Sequence, residues 1–197
     1  MSDSPVDKTR RNLVVATATV GGIAAVGAAV PFVASMTPSE RAKALGAPVE
    51  ADISALKPGE MQIIEWRGKP VWILRRTPEM LESIKKSDAR VSDPGSEVPL
   101  QPEYAKNETR SIRPDYAVLV GVCSHLGCSP QYKGLEAKAE MGTDWEGGFY
   151  CPCHGSKFDF AGRVYKGVPA PVNLTVPPYE FVSDDRLVIG EDKTTKA

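Results

Sequence analysis

Apolar positions along this chain fall into one long block followed by many short ones. The long block starts at Asn12 and carries no charged residue until Glu40. Its centre, residues 13–36, would reach roughly 36 Å as a helix at about 1.5 Å per residue, enough to cross a bilayer as a single transmembrane helix. Gly21, Gly22 and Gly27 would let another helix approach it closely. Beyond residue 50 the pattern changes to short runs rich in β-branched and aromatic residues, at 61–66, 71–74, 116–122, 149–151, 179–182 and 187–189. Polar turn sequences at 67–70 and 183–186 separate neighbouring runs, so the pattern predicts an all-β head, an antiparallel β-sandwich with its first and last strands in a base subdomain. One helix is predicted after Thr77, which can cap it; Pro78 suits its first turn, and Met80, Leu81 and Ile84 share a face.

Between the long block and the head, residues 37–49 turn polar and carry Pro38, Gly46 and Pro48, a composition that predicts a tether. Extended at up to about 3.3 Å per residue, such a segment would give the head a reach of a few tens of ångströms. Composition alone fits a passive linker equally well. Residues 92–102 hold Pro94, Gly95, Pro99 and Pro102 and predict a surface loop, and the tail after Glu191 is polar.

Charge excludes one class of partner. The 197 residues carry 24 Lys and Arg against 25 Asp and Glu, so no basic excess exists for nucleic acid. Up to Met36 the charges are Asp3 and Asp7 against Lys8, Arg10 and Arg11, a net of +1, which leaves −2 for the remainder of a chain at −1.

The chemistry is concentrated. All four cysteines and both histidines lie in two blocks, Cys123-Ser124-His125-Leu126-Gly127-Cys128 and Cys151-Pro152-Cys153-His154-Gly155-Ser156. Matched Cys/His blocks on glycine-bearing turns are what a metal held between two loops requires. Six ligands would crowd one zinc or one 2Fe-2S cluster, so two of the cysteines have another task. A Cys2His2 zinc site remains an alternative built from the same residues. The long, Gly-containing stretch between the blocks is unlike the usual zinc-finger spacing.

These blocks resemble those of the Rieske iron-sulfur family, Cys-Thr-His-Leu-Gly-Cys followed by Cys-Pro-Cys-His-Gly-Ser, with Ser124 in place of Thr. The two surplus cysteines point to the respiratory branch, the iron-sulfur subunits of quinol:cytochrome c reductases, rather than to oxygenase ferredoxins. The resemblance implies that Cys123 and Cys151 hold one iron of a 2Fe-2S cluster, that His125 and His154 hold the other, and that Cys128 and Cys153 form a disulfide. That pairing implies an oxidising compartment. Replacing two thiolates by neutral imidazoles removes negative charge beside the cluster and makes electron uptake easier.

The same resemblance gives roles to further residues. His154 is the position that contacts quinol, Ser156 bonds a bridging sulfide, and Leu126 shields the cluster and meets the docking surface. Residues 116–171 would form the cluster-binding subdomain, and Gly167-Val168-Pro169-Ala170-Pro171 a covering third loop. High-potential relatives often have a tyrosine where this chain has Phe158, which implies a lower potential here. The segment 129–147 is longer than in mitochondrial members and is expected to be an exposed, solvated insertion.

Thr9-Arg10-Arg11-Asn12-Leu13-Val14 resembles a twin-arginine export signal, a route for folded, cofactor-loaded proteins. It is read here as an uncleaved signal-anchor, with cleavage near Val33-Ala34-Ser35 as the alternative. The implied organisation is a cytoplasmic N-terminus (1–12), a transmembrane anchor (13–36), a hinge (37–49) and a periplasmic Rieske domain (50–197) at a bacterial inner membrane. The implied partners are ubiquinol, a cytochrome b subunit and a c-type cytochrome within a dimeric, proton-translocating complex. An oxygenase electron carrier and a zinc-stabilised interaction domain are the competing function classes.

Overall fold

The computed structural model describes residues 7–192; residues 1–6, and the expected polar tail from residue 193 on, lie outside the described residues. The chain divides into two compact units, Met1–Ala44 and Leu45–Ala197.

The first unit is dominated by α1 (Lys8–Ser35), 28 residues with none buried, long and apolar enough to cross a membrane. Asp7 caps it by accepting from the backbone N–H groups of Thr9 and Arg10. Within the segment expected to be a tether, residues Glu40–Leu45 form a short helix, α2. Ser39 starts it through an Ala42 N–H to Ser39 Oγ bond of 3.2 Å, and the strong helix formers that follow continue it.

The second unit is built from three antiparallel three-stranded sheets. β1 (Val49–Asp52) pairs with β9 (Arg186–Ile189), which also pairs with β8 (Tyr179–Phe181). The first strand expected from the sequence, 61–66, does not join this sheet; the last strand pairs instead with Val49–Asp52, a four-residue run that the hydrophobic pattern did not single out. In the second sheet β2 (Met61–Trp66) joins β3 (Lys69–Arg75) through a tight turn in which Arg67 and Gly68 both have positive φ, and β3 continues onto β4 (Tyr116–Val120). Between β3 and β4 lies α3 (Pro78–Ser87), capped by Thr77 as its sequence predicts and burying Met80 and Ile84.

The third sheet, β5 (Gln131–Lys133), β6 (Gly148–Cys151) and β7 (Ser156–Phe158), departs from expectation in two of its strands. β5 lies inside the segment expected to be a solvated insertion. That segment also forms a short helix, α4 (Lys138–Met141), and buries Trp145, whose indole N–H donates to the Gly134 carbonyl at 3.1 Å. Tyr132 and Trp145 give the insertion aromatic anchors against Phe160 and Tyr165. The sheets share one core, in which the ring of Trp72 on β3 stacks on Phe149 of β6 at 4.7 Å.

Candidate metal centre

Each Cys/His block closes on itself with the same bond. The Gly127 N–H donates to the Cys123 carbonyl at 3.0 Å, and the Gly155 N–H donates to the Cys151 carbonyl at 2.9 Å. Both glycines have φ near +80°, at 83° and 77°, which side-chain-bearing residues rarely adopt. β4 leads into the first loop, 123–128. The Cys151↔Ser156 pair at the ends of β6 and β7 closes the second, 151–156.

The side chains then sort by exposure. Cys123 and Cys151 are buried free thiols, whereas His154 is exposed and His125 half-buried. The two imidazoles meet edge to face with ring centres 4.8 Å apart, so the four side chains lie at one end of the sheet. Burial pushes the Cys151 thiol up, and the neighbouring Cys123 thiol adds to that shift. Without a cation that burial favours the neutral thiol at Cys151; a bound metal reverses the preference by compensating thiolate charge in a dry site.

The cysteines outside this set are joined, Cys128 to Cys153. The Cys151 sulfur lies within 4.8 Å of both disulfide sulfurs, so the bridge backs directly onto the site. Those three sulfurs do not form a ligand set, because two of them are already bonded to each other.

A third loop, 167–171, is fastened to the second. The Ala170 N–H donates to Ser156 Oγ at 3.0 Å, which uses the buried hydroxyl as an acceptor and leaves its proton to be donated elsewhere. The tie from the first loop was not anticipated: Ser124 Oγ donates to the Val172 carbonyl at 2.6 Å. Its signal was present in the sequence, because the one departure from the Rieske pattern still supplies a hydroxyl. The disulfide, Ser124 and Ser156 thus link the three loops pairwise. Leu126 stands out from the first loop with 71% of its surface exposed.

Residues 48–180 match the Rieske 2Fe-2S domain, and residues 1–39 match the segment described as the ubiquitinol-cytochrome C reductase Fe-S subunit TAT signal. The chain belongs to the Rieske family. A Rieske relative, the ubiquinol-cytochrome c reductase iron-sulfur subunit of Allochromatium vinosum, is 56% identical over 98% of this chain and 94% of its own length. The protein of the same name from Blastochloris viridis is 40% identical over 96% of this chain and 97% of its own. The mitochondrial Rieske subunit of the cytochrome b-c1 complex of Neurospora crassa is 41% identical over 87% of this chain and 67% of its own length. Among solved structures, a chain of a hyperthermophilic respiratory Complex III aligns at a TM-score of 0.46 and 28% identity, covering 88% of this chain and 98% of that one.

The Rieske cofactor is a 2Fe-2S cluster, and this donor set fits it: two adjacent buried sulfurs, two adjacent imidazoles, and a buried hydroxyl with its proton to spare. The Rieske head accompanies an N-terminal apolar helix and an export-signal segment, as a membrane-anchored subunit requires.

Proposed function

We propose that this chain is the electron-transfer subunit of a quinol:cytochrome c oxidoreductase, with Cys123 and Cys151 holding one iron and His125 and His154 the other. Supplied there, the cluster accepts a single electron at high potential, because two of its ligands are neutral. The observation that carries the reading is the exposure pattern: both thiols are buried, while His154 and Leu126 face outward at the tip.

An exposed imidazole bound to iron through one nitrogen keeps the other for a hydroxyl partner, so His154 can take a hydrogen bond from a quinol and receive its proton. Leu126, exposed on the first loop, would offer an apolar contact for the surface that binds the quinol. Ser156, whose oxygen already accepts from the Ala170 N–H, keeps a proton that would be free to donate to a cluster sulfur and so would favour the reduced, more negative state. The same reading assigns residues 1–12 to the cytoplasm, 13–36 to the membrane, 37–49 to the hinge and 50–197 to the periplasmic head, with residues 116–171 carrying the cluster. Cytochrome b and a c-type cytochrome are its electron-transfer partners, in a dimeric complex.

Electron paramagnetic resonance of the full chain at low temperature tests the reading. A rhombic 2Fe-2S signal after ascorbate supports it. A signal only after dithionite makes the chain a low-potential carrier, and bound zinc without a signal replaces electron transfer altogether.

Phe158 refines the expected potential. Its ring is wholly buried on β7, opposite Phe149, and has no hydroxyl to donate. Phe158→Tyr adds a donor, and the midpoint potential rises as that hydroxyl stabilises a more negative sulfur. A redox titration showing an equal or lower potential in the tyrosine variant refutes this.

A further inference from the structure

Three arginines are almost wholly buried beneath the second loop: Arg76 at 3% exposure, and Arg110 and Arg163 at 0%. All three converge on the turn 159–163, which directly follows β7 and its Ser156. Arg76 Nη1 donates to the Phe160 carbonyl at 3.3 Å, and Arg110 Nη1 donates to the Ala161 carbonyl at 3.1 Å. Arg163 Nε donates to the Asp159 carboxylate at 2.7 Å, and its Nη1 donates to Asp88 at 2.6 Å.

The charges do not cancel. Asp159 is the only wholly buried carboxylate in the group, and it is committed to Arg163 and to the N–H groups of Ala161 and Arg163. Arg76 and Arg110 are hydrogen-bonded to neutral groups: backbone carbonyls, Ser111 Oγ at 2.7 Å and Gln101 Oε1 at 2.9 Å. Of the other acids that act on the group, Asp88 is exposed and paired with Arg163, Asp115 is exposed and Asp93 is half-buried, so water screens them more than it screens the buried guanidinium groups. Burial pushes both Arg76 and Arg110 down to about 10, which leaves each charged at neutral pH.

Hydrogen bonding alone does not account for guanidinium at these positions. Both Nε atoms are buried without a partner, and Arg110 sits at φ 50°, a conformation that costs a non-glycine residue energy. A buried, uncompensated positive charge is expensive, and it acts over a long range in a low-dielectric interior. Three residues of β7 at about 3.3 Å each place the turn roughly 10 Å from Ser156.

We propose that Arg76 and Arg110 tune the redox site: their surplus positive charge stabilises the electron added to the cluster and raises its reduction potential. The step adds one electron, makes and breaks no bond, and takes the site from a neutral sum of two ferric ions, two sulfides and two thiolates to a charge of −1. The inference rests on the cluster placement proposed above.

Gln101→Glu is the decisive variant. It puts a carboxylate where Arg110 Nη2 already donates, at the cost of the Gln101 Nε2 bonds to the Ser96 and Val98 carbonyls, and so sets a negative charge directly against that guanidinium. One charge roughly 15 Å away at an effective dielectric of about 20 changes the reduced-to-oxidised ratio about 6.5-fold at fixed ambient potential. At 59 mV per tenfold this is a downward shift of about 48 mV. Arg110→Lys, which keeps the charge and loses the fork, lowers the melting temperature and leaves the potential near that of the parent. The titrations are run on the full chain in membranes, at low salt and again at 1 M salt, where a buried charge still acts. An unchanged potential in Gln101→Glu with an intact 2Fe-2S signal overturns the tuning role, as does an equal shift in Arg110→Lys. Absence of any 2Fe-2S signal in the parent chain overturns the cluster placement instead.

Discussion

Replacing Cys128 and Cys153 together by alanine lowers the unfolding free energy of the cluster-free head by about 3.5 kcal/mol. The bridge spans 25 residues, and for a loop of that length the chain-entropy model gives this value at room temperature. The closed loop contains β5, the insertion and β6, so the unbridged denatured chain gains the freedom of that whole segment. With the cluster in place the loss is smaller, because ligands from both loops already cross-link them. Chemical denaturation of the cluster-free and loaded forms separates the two contributions. A loss below about 1 kcal/mol in the cluster-free form means that the ties through Ser124 and Ser156 hold the loops by themselves.

Gly148→Ala has a comparable effect by a different route. Gly148 opens β6 with φ at 138°, and a Cβ there would fall 2.0 Å from the Phe158 carbonyl oxygen and 2.8 Å from the Asp159 Cα. These are backbone atoms of the strand that carries Ser156 and of the turn held by the buried arginines, so neither can rotate away. Backbone strain and overpacking together cost about 3 kcal/mol or more, and the pairing of β6 with β7 that closes the second loop is pushed open. The variant therefore loses cluster occupancy as well as stability. Gly142→Ala is the control: φ there is 101°, but nothing lies within 4 Å of the added carbon. Thermal melts and iron content of both variants should separate widely. Equal losses would assign the effect to φ alone.

The site was more legible in the sequence than the scaffold that holds it. Cysteine and histidine are few, and their blocks are short, so the two loops stand out against the rest of the chain. The helix after Thr77 and the β2 hairpin were legible because cap, turn and hydrophobic period agree locally. β5 and β7 were not. Gln131-Tyr132-Lys133 and Ser156-Lys157-Phe158 are three residues each, too short to show alternation, and they exist because β6 lies between them. The insertion was read as solvated from its many charges, but the single tryptophan in it decides its packing. Arg76, Arg110 and Arg163 resemble any surface charge in one dimension. Only the fold reveals that the carbonyls of one turn have gathered them inside.

The two loops are one small turn used twice, and their difference is a matter of phase. In both, cysteine opens the turn and glycine closes it four residues on, at Cys123 and Gly127 and at Cys151 and Gly155. Histidine stands two residues after the cysteine in the first and three after it in the second. Moving a side chain one position along a tight turn swings it to another side of the turn, and here it carries the imidazole from a half-buried place to an exposed one. The inward and outward halves of this centre therefore do not need different architectures. A single step of register inside a repeated turn is what separates the sheltered imidazole from the accessible one.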